Sequence, residues 1–280
     1  MATLATHAYG KSTIRVLRVA RGPSEDRLWD LTVHVRLEGD FARAYLVGDN
    51  REIVPTATLV TTAHVVAAAD PFEGAAAFAD RLGRDLVARH PPVVSAAVTV
   101  EERHWERIVT GAGPDPHAFH RAGNARALAR TRTARDRTAT SGGLSGLALL
   151  KTTGSSFVGF HTDRLTTLSE ATDRLLATRA DVRWHLANGG ADAGDALQRI
   201  RRALLETFAT RRSNSLQEML FAMGSAALEA AGEVDEIRLR LRNHHHLLVD
   251  LAPFGVANPR LVYTATREPH GVIEGTLRRS

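Results

Sequence analysis

The feature that most limits what this chain can fold into is a repeat of elements. Residues 12–21 are rich in β-branched side chains and read as a strand. Residues 28–38 alternate, with Trp29, Leu31, Val33 and Val35 on one face and Leu28, Asp30 and Thr32 on the other. Gly22-Pro23-Ser24 and the charged residues after it form the hairpin loop. Helices over 59–69 and 72–88 follow, the second with Phe78, Leu82 and Leu86 at helical spacing. Strands over 93–101, 118–121 and 125–138 close the half. Gly142-Gly143 then breaks the chain and the order recurs. Strands at 144–152 and 179–186 lead through a loop at Asn188-Gly189-Gly190 to helices at 195–210 and 216–230. Strands at 234–241, 247–251, 260–264 and 272–277 end the chain. Each half, 1–141 and 142–280, reads strand–strand–helix–helix–strand–strand. Two antiparallel sheets, each with a helix pair on one face, make an α+β protein. Sheets with one covered face and bare edges close into barrels or associate with copies of themselves.

Composition narrows the chemistry. There is no cysteine, which removes disulfides, thiolate nucleophiles and cysteine-based zinc sites. No apolar run is long enough to span a bilayer, and Met1–His7 carries no basic or apolar leader pattern, so a cytoplasmic protein is expected. Of 36 basic residues only Lys11 and Lys151 are lysines. Lysine can lose its proton when buried and act as a base, whereas arginine cannot. Both lysines are therefore singled out, Lys11 more strongly for its Tyr9-Gly10-Lys11-Ser12 context. Arg126, Arg130, Arg132, Arg135 and Arg137 lack the interleaved aromatics of a nucleic-acid surface and read as a solvated strand face.

The run Asn243-His244-His245-His246-Leu247-Leu248 suggests a metal cluster by composition, but three strand neighbours cannot converge on one ion. On strand alternation Asn243 and His245 share a face, leaving His244 and His246 for packing. Ile53–Thr58 sits where the chain turns into a helix. The first helical N–H groups there are free to bind an anion or carbonyl, although Thr56 can equally be a helix cap.

These residues together resemble the urate oxidase (uricase) family. Tyr9-Gly10-Lys11, Val54-Pro55-Thr56, the run Leu150–Phe160, Thr166-Thr167-Leu168, Asp173-Arg174, Ser215-Leu216-Gln217 and Asn243–Gly255 occur in family order and spacing over essentially the whole chain. The resemblance implies two tandem tunnelling-fold units and a homotetramer whose stacked barrels enclose a tunnel, with active sites at subunit interfaces. It implies a cofactor-free oxidation of urate by dioxygen, with no metal, nucleic acid or membrane involved. Phe157 would stack on the purine. Arg174, Gln217 and the backbone N–H of Leu216 would hold its pyrimidine edge. Thr56 and the N–H of Ala57, from a neighbouring subunit, would hold the five-membered ring. Lys11, Thr56 and His245 would move protons, with the lysine pKa lowered by burial, and Asn243 would border the oxygen or water position. The chain departs from the family pattern at Ala57, where aspartate is usual, at Val60-Thr61-Thr62 in place of Lys-Asn-Thr, at His64 in place of tyrosine and at His244 in place of lysine. Ala57 and Val60 motivate a second reading, a diverged relative that binds a purine-like ring without efficient oxidation.

Overall fold

The structure, a computed structural model, describes residues 2–69, 72, 74–186, 193–266 and 268–279. The loop expected at 188–190 lies outside them. The chain forms two compact units, residues 1–145 with 184–197, and residues 146–183 with 198–280.

In the first unit, β1 (Tyr9–Ala20), β2 (Arg27–Gly39), β3 (Val93–Thr110), β4 (Gly113–Ala134) and the start of β5 (Thr138–Lys151) pair antiparallel in chain order. Between β2 and β3 come α1 (Ala42–Val47), α2 (Thr56–Ala69) and α3 (Gly74–Arg89). The alternation read in β2 sets the layers. Trp29, Leu31, Val33, Val35 and Leu37 are all buried, as are Ala96, Val98 and Val100 of β3. Leu59 of α2 and Phe78, Leu82 and Leu86 of α3 complete that core. Burying such a side chain is worth about 1.5–3 kcal/mol, so this single stripe fixes the register of the sheet. α1 was not anticipated; its Tyr45, Leu46 and Val47 are exposed, so no apolar stripe marks it.

β3 and β4 extend well past the expected 93–101 and 118–121. Their outer halves pair with each other from Trp105↔Arg121 to Thr110↔Gly113, and cross-strand pairing rather than burial defines them. The expected break at Gly142-Gly143 is also corrected: both lie inside β5. A Cβ on Gly142 would stand 2.4 Å from the indole of Trp184, which is 1% exposed. The glycine is there for close packing, not to interrupt the strand.

In the second unit, the larger part of β6 (Leu176–Leu186), α4 (Ala193–Thr210), α5 (Leu216–Ala230), β7 (Val234–His244) and β10 (Gly271–Arg278) repeat the scheme. β7 and β10 pair antiparallel from Gly271↔Asn243 to Arg278↔Glu236. Leu216, Leu220, Met223 and Ala227 are buried on the inner stripe of α5, and Ile200, Leu204 and Phe208 on that of α4. α5 lies close on the sheet because Gly224 faces Leu239 and Leu277, and Gly275 faces Leu220. β8 (His246–Leu248) and β9 (Tyr263–Ala265) form a separate pair, shorter than the expected strands. Asn258 explains the shortening: its Oδ1 accepts from the N–H of Leu261 and Val262, and its Nδ2 donates to the carbonyls of Val249 and Val262.

Candidate active site

In the second unit the loop from Thr152 to Leu175 is pinned by backbone pairing to the segment entering α5. Ser156 N–H donates to Ser213 C=O at 2.9 Å, and Ser213 N–H donates to Gly154 C=O at 3.2 Å. Phe157 and Ala171 exchange both N–H···O bonds, at 2.7 and 3.0 Å, and Arg174 N–H donates to Ser155 C=O at 2.7 Å. Phe157, Arg174 and the start of α5 are thus held in one network.

The Arg174 guanidinium lies 5.1 Å from the Phe157 ring centroid, and Phe160 stacks on Phe157 at 4.9 Å with planes 14° apart. Desolvation pulls the Arg174 pKa below its ordinary value, yet guanidinium stays charged. The neighbouring carboxylate is not available to it. Asp173 accepts from Thr153 Oγ1 at 2.7 Å and Gly154 N–H at 2.8 Å, and those bonds hold its pKa low. Arg174 Nε is buried without a partner, and so are Ser155 Oγ and Ser213 Oγ. A desolvated, uncompensated cation beside a flat ring is set up for an anionic aromatic ligand. Ser155 and Ser213 were not singled out in the sequence, because serine carries no periodic signal.

α5 begins with a capping box. Ser215 Oγ accepts from Glu218 N–H at 3.0 Å, and the Glu218 carboxylate accepts from Asn214 N–H at 2.8 Å. Leu216 and Gln217 are the first two helical residues, so helix geometry leaves their N–H groups without intrahelical acceptors. Leu216 is buried and Gln217 exposed.

The first unit offers a parallel arrangement. Thr56 and Ala57 are the first two residues of α2; Thr58 N–H already donates to Pro55 C=O at 2.9 Å. Thr56 is therefore the first helical residue rather than the cap. Lys11 lies on β1 opposite Val35, where a bulge shifts the register before Ile14. Tyr9 ties the two segments together: its hydroxyl accepts from Val54 N–H at 2.7 Å and donates to Val54 C=O at 3.1 Å. Lys11 and Thr56 each lie two residues beyond this clamp. Lys11 is exposed, so the expected burial is not provided by its own chain. His64 fastens α2 to β1 through Val60 C=O at 2.8 Å and Arg15 C=O at 3.1 Å.

The histidine run does not form one strand. β7 ends at His244 and β8 starts at His246. The His245 carbonyl accepts from both the N–H (2.8 Å) and the hydroxyl (3.0 Å) of Thr266. Strand alternation therefore cannot align Asn243 with His245; Asn243 sits opposite Gly271 at the end of β7, and His245 is exposed in the junction. Among the described residues no hydrogen bond or ring contact joins either to Phe157 or Arg174, and no group of three His, Asp or Glu is placed to hold a metal ion. Lys151 has a structural role. Its Nζ donates to Arg211 C=O at 2.8 Å and Phe208 C=O at 3.4 Å, closing the C-terminal end of α4.

The fold defines a class: an α+β protein built of tandem tunnelling-fold units. The sequence matches the uricase family model over residues 7–131 and 140–274. It is 37% identical to the uricase of Arthrobacter globiformis over 276 residues, which cover 99% of this chain and 90% of that protein. It is 32% identical to the uricase of Dictyostelium discoideum, covering 100% of this chain and 99% of that one. The solved Arthrobacter globiformis uricase superposes with a TM-score of 0.92 at 36% identity, over 100% of this chain and 96% of that chain. A uricase from Bacillus fastidious, 22% identical, shares the fold with a TM-score of 0.83 over 99% of this chain and 94% of that one. The chain belongs to the uricase family.

Proposed function

We propose that this chain is a cofactor-independent urate oxidase, converting urate, dioxygen and water to 5-hydroxyisourate and hydrogen peroxide. The observation that carries the reading is the uncompensated Arg174 guanidinium beside the Phe157 ring. Urate is flat, electron-rich and anionic. Its ring stacks on Phe157, an interaction worth about 1–3 kcal/mol. Arg174 takes its anionic pyrimidine edge in a two-pronged contact. Gln217 reads the adjoining N–H and C=O with one side chain, and the Leu216 N–H adds a donor. Two electrons pass from the urate anion to dioxygen, which gains two protons as hydrogen peroxide, while water supplies the new hydroxyl. Protons move through Lys11, Thr56 and His245, with Asn243 beside the oxygen or water position.

The assembly we infer is a homotetramer of stacked barrels in the cytoplasm, with residues 1–141 and 142–280 as the two repeats. A neighbouring subunit supplies Thr56 and the Ala57 N–H, and its surface covers Lys11, which is exposed in its own chain. No helix among the described residues is long and apolar enough to cross a membrane. The test is the loss of urate ultraviolet absorbance on mixing with purified protein; no loss above the buffer rate by a correctly assembled tetramer would sink the reading. A second reading rests on Ala57. This position keeps its N–H but has no carboxylate, so the chain could bind a purine-like ring without efficient turnover. Calorimetric titration with a non-oxidisable xanthine analogue separates the two.

A further inference from the structure

The helix-free side of the large sheet is charged in the same way in each unit. In the first unit, Arg15, Arg36, Arg103, Arg126, Arg130 and Arg132 lie by register on the face opposite the core, with Asp30, Glu38 and Glu101 as the carboxylates among them. In the second unit, Arg238, Arg240, Arg242 and Arg278 share the corresponding face with Glu236 and Glu274. Arg179, Asp181 and Arg183 join them, alternating with the buried Ala180, Val182 and Trp184 of β6. The positions named here hold twelve arginines and six carboxylates, a net of +6, whereas the whole chain has a formal net charge of +5, so these faces account for the protein's excess positive charge.

The charges are arranged as an interleaved lattice. Asp30 is held by Arg15, Arg103 and the Trp105 indole; Glu38 by Arg36 and Arg132; Glu101 by Arg126. Asp181 pairs with Arg242, Glu274 with Arg238 and Arg240, and Glu236 with Arg278. Arg130, Arg179 and Arg183 are exposed and have no carboxylate partner among the described residues; Arg179 is the one whose guanidinium packs over Gly146. A phosphate backbone tracking such a face would meet a carboxylate at each step, and the Trp105 indole N–H is already bonded to Asp30 at 3.1 Å. A small single anion avoids both problems.

We infer that these faces gather the anionic substrate from solution and raise its local concentration, with the unpaired Arg130, Arg179 and Arg183 doing most of it; Arg130 and Arg183, which do not pack on a glycine backbone, are the ones to replace. This rests on the urate reading above. Excess charge of one sign raises association rates about 10–10³-fold, and salt screens it.

The experiment is steady-state oxidation of urate by the assembled full chain from about 0.01 M to about 0.3 M ionic strength, where the screening length falls from about 30 Å to below 10 Å. The wild type should lose about tenfold in kcat/KM, through KM alone. The double variant Arg130→Gln/Arg183→Gln breaks no ion pair. It should show a KM raised about threefold at low salt, an unchanged kcat, a shallower salt slope, and convergence with the wild type at high salt. Size-exclusion profile and thermal unfolding check its folding and assembly, and Arg130→Lys/Arg183→Lys should restore the slope. Identical salt slopes for wild type and the Gln variant, in active enzymes, would overturn the inference while leaving the urate reading intact. An unchanged urate slope with a salt-sensitive oligonucleotide affinity lost in the Gln variant would overturn it in favour of a polyanion surface. Absence of urate turnover in the wild type would remove the urate reading instead.

Discussion

Arg174 carries a charge that no carboxylate of its loop neutralises, since Asp173 is already committed to Thr153 and Gly154. Arg174→Lys keeps the charge but loses the planar fork, so KM for urate should rise about 10–100-fold with the fold intact, measured by initial rates and circular dichroism. Lys11→Met should fold and assemble but lose most turnover, because the proton relay loses its base; near-wild-type kcat would remove Lys11 from the mechanism. Glu102 gives a pH prediction. Burial raises its pKa from 4.5 to about 6, outweighing the Ala75 N–H that donates to it at 3.1 Å. A raised folded-state pKa favours the protonated form, so this stabilisation is complete below about pH 4.5 and is lost as pH rises through about 6. The change is about 2 kcal/mol. Urea unfolding should show wild type losing stability relative to Glu102→Gln across that window. Arg174, Gln217 and Thr56 became candidates only through motif order. Ser155, Ser213 and the Tyr9–Val54 clamp were not legible at all, since a buried hydroxyl and a side chain bonded to distant backbone leave no local pattern.

At the scale of elements, legibility followed the source of each element's stability. α5 was read at its observed bounds because a capping box marks its start and a buried stripe runs its length. Ser215→Ala should cost about 1 kcal/mol of unfolding free energy by denaturant titration. β2 was readable because one face is core. The outer halves of β3 and β4 were not, because their residues are charged or half-exposed and depend on each other. Gly142 misled for a different reason: glycine marks breaks and close approaches alike, and only the Trp184 ring tells them apart. Gly142→Ala should therefore destabilise by about 1–3 kcal/mol, seen as a lowered Tm, although an alanine is otherwise at home in a strand interior.

At the scale of the whole molecule, the α+β order of elements was written in the sequence, whereas the assembly we propose rests on the resemblance alone. Lys11 and Thr56 belong to one unit and Phe157, Arg174 and Gln217 to the other, and the proposed site draws on both through neighbouring subunits. Specific activity should accordingly fall on dilution in step with the tetramer fraction measured by analytical ultracentrifugation. The placement of the aromatic residues has an optical consequence. All three tryptophans, Trp29, Trp105 and Trp184, fall in the first unit. Indole fluorescence is then a one-sided signal, blind to the second unit, while far-ultraviolet dichroism sees both. Superimposed denaturation curves from the two probes would mean that the repeats melt as one body. Separated curves would show that the duplication has kept two independent thermal lives.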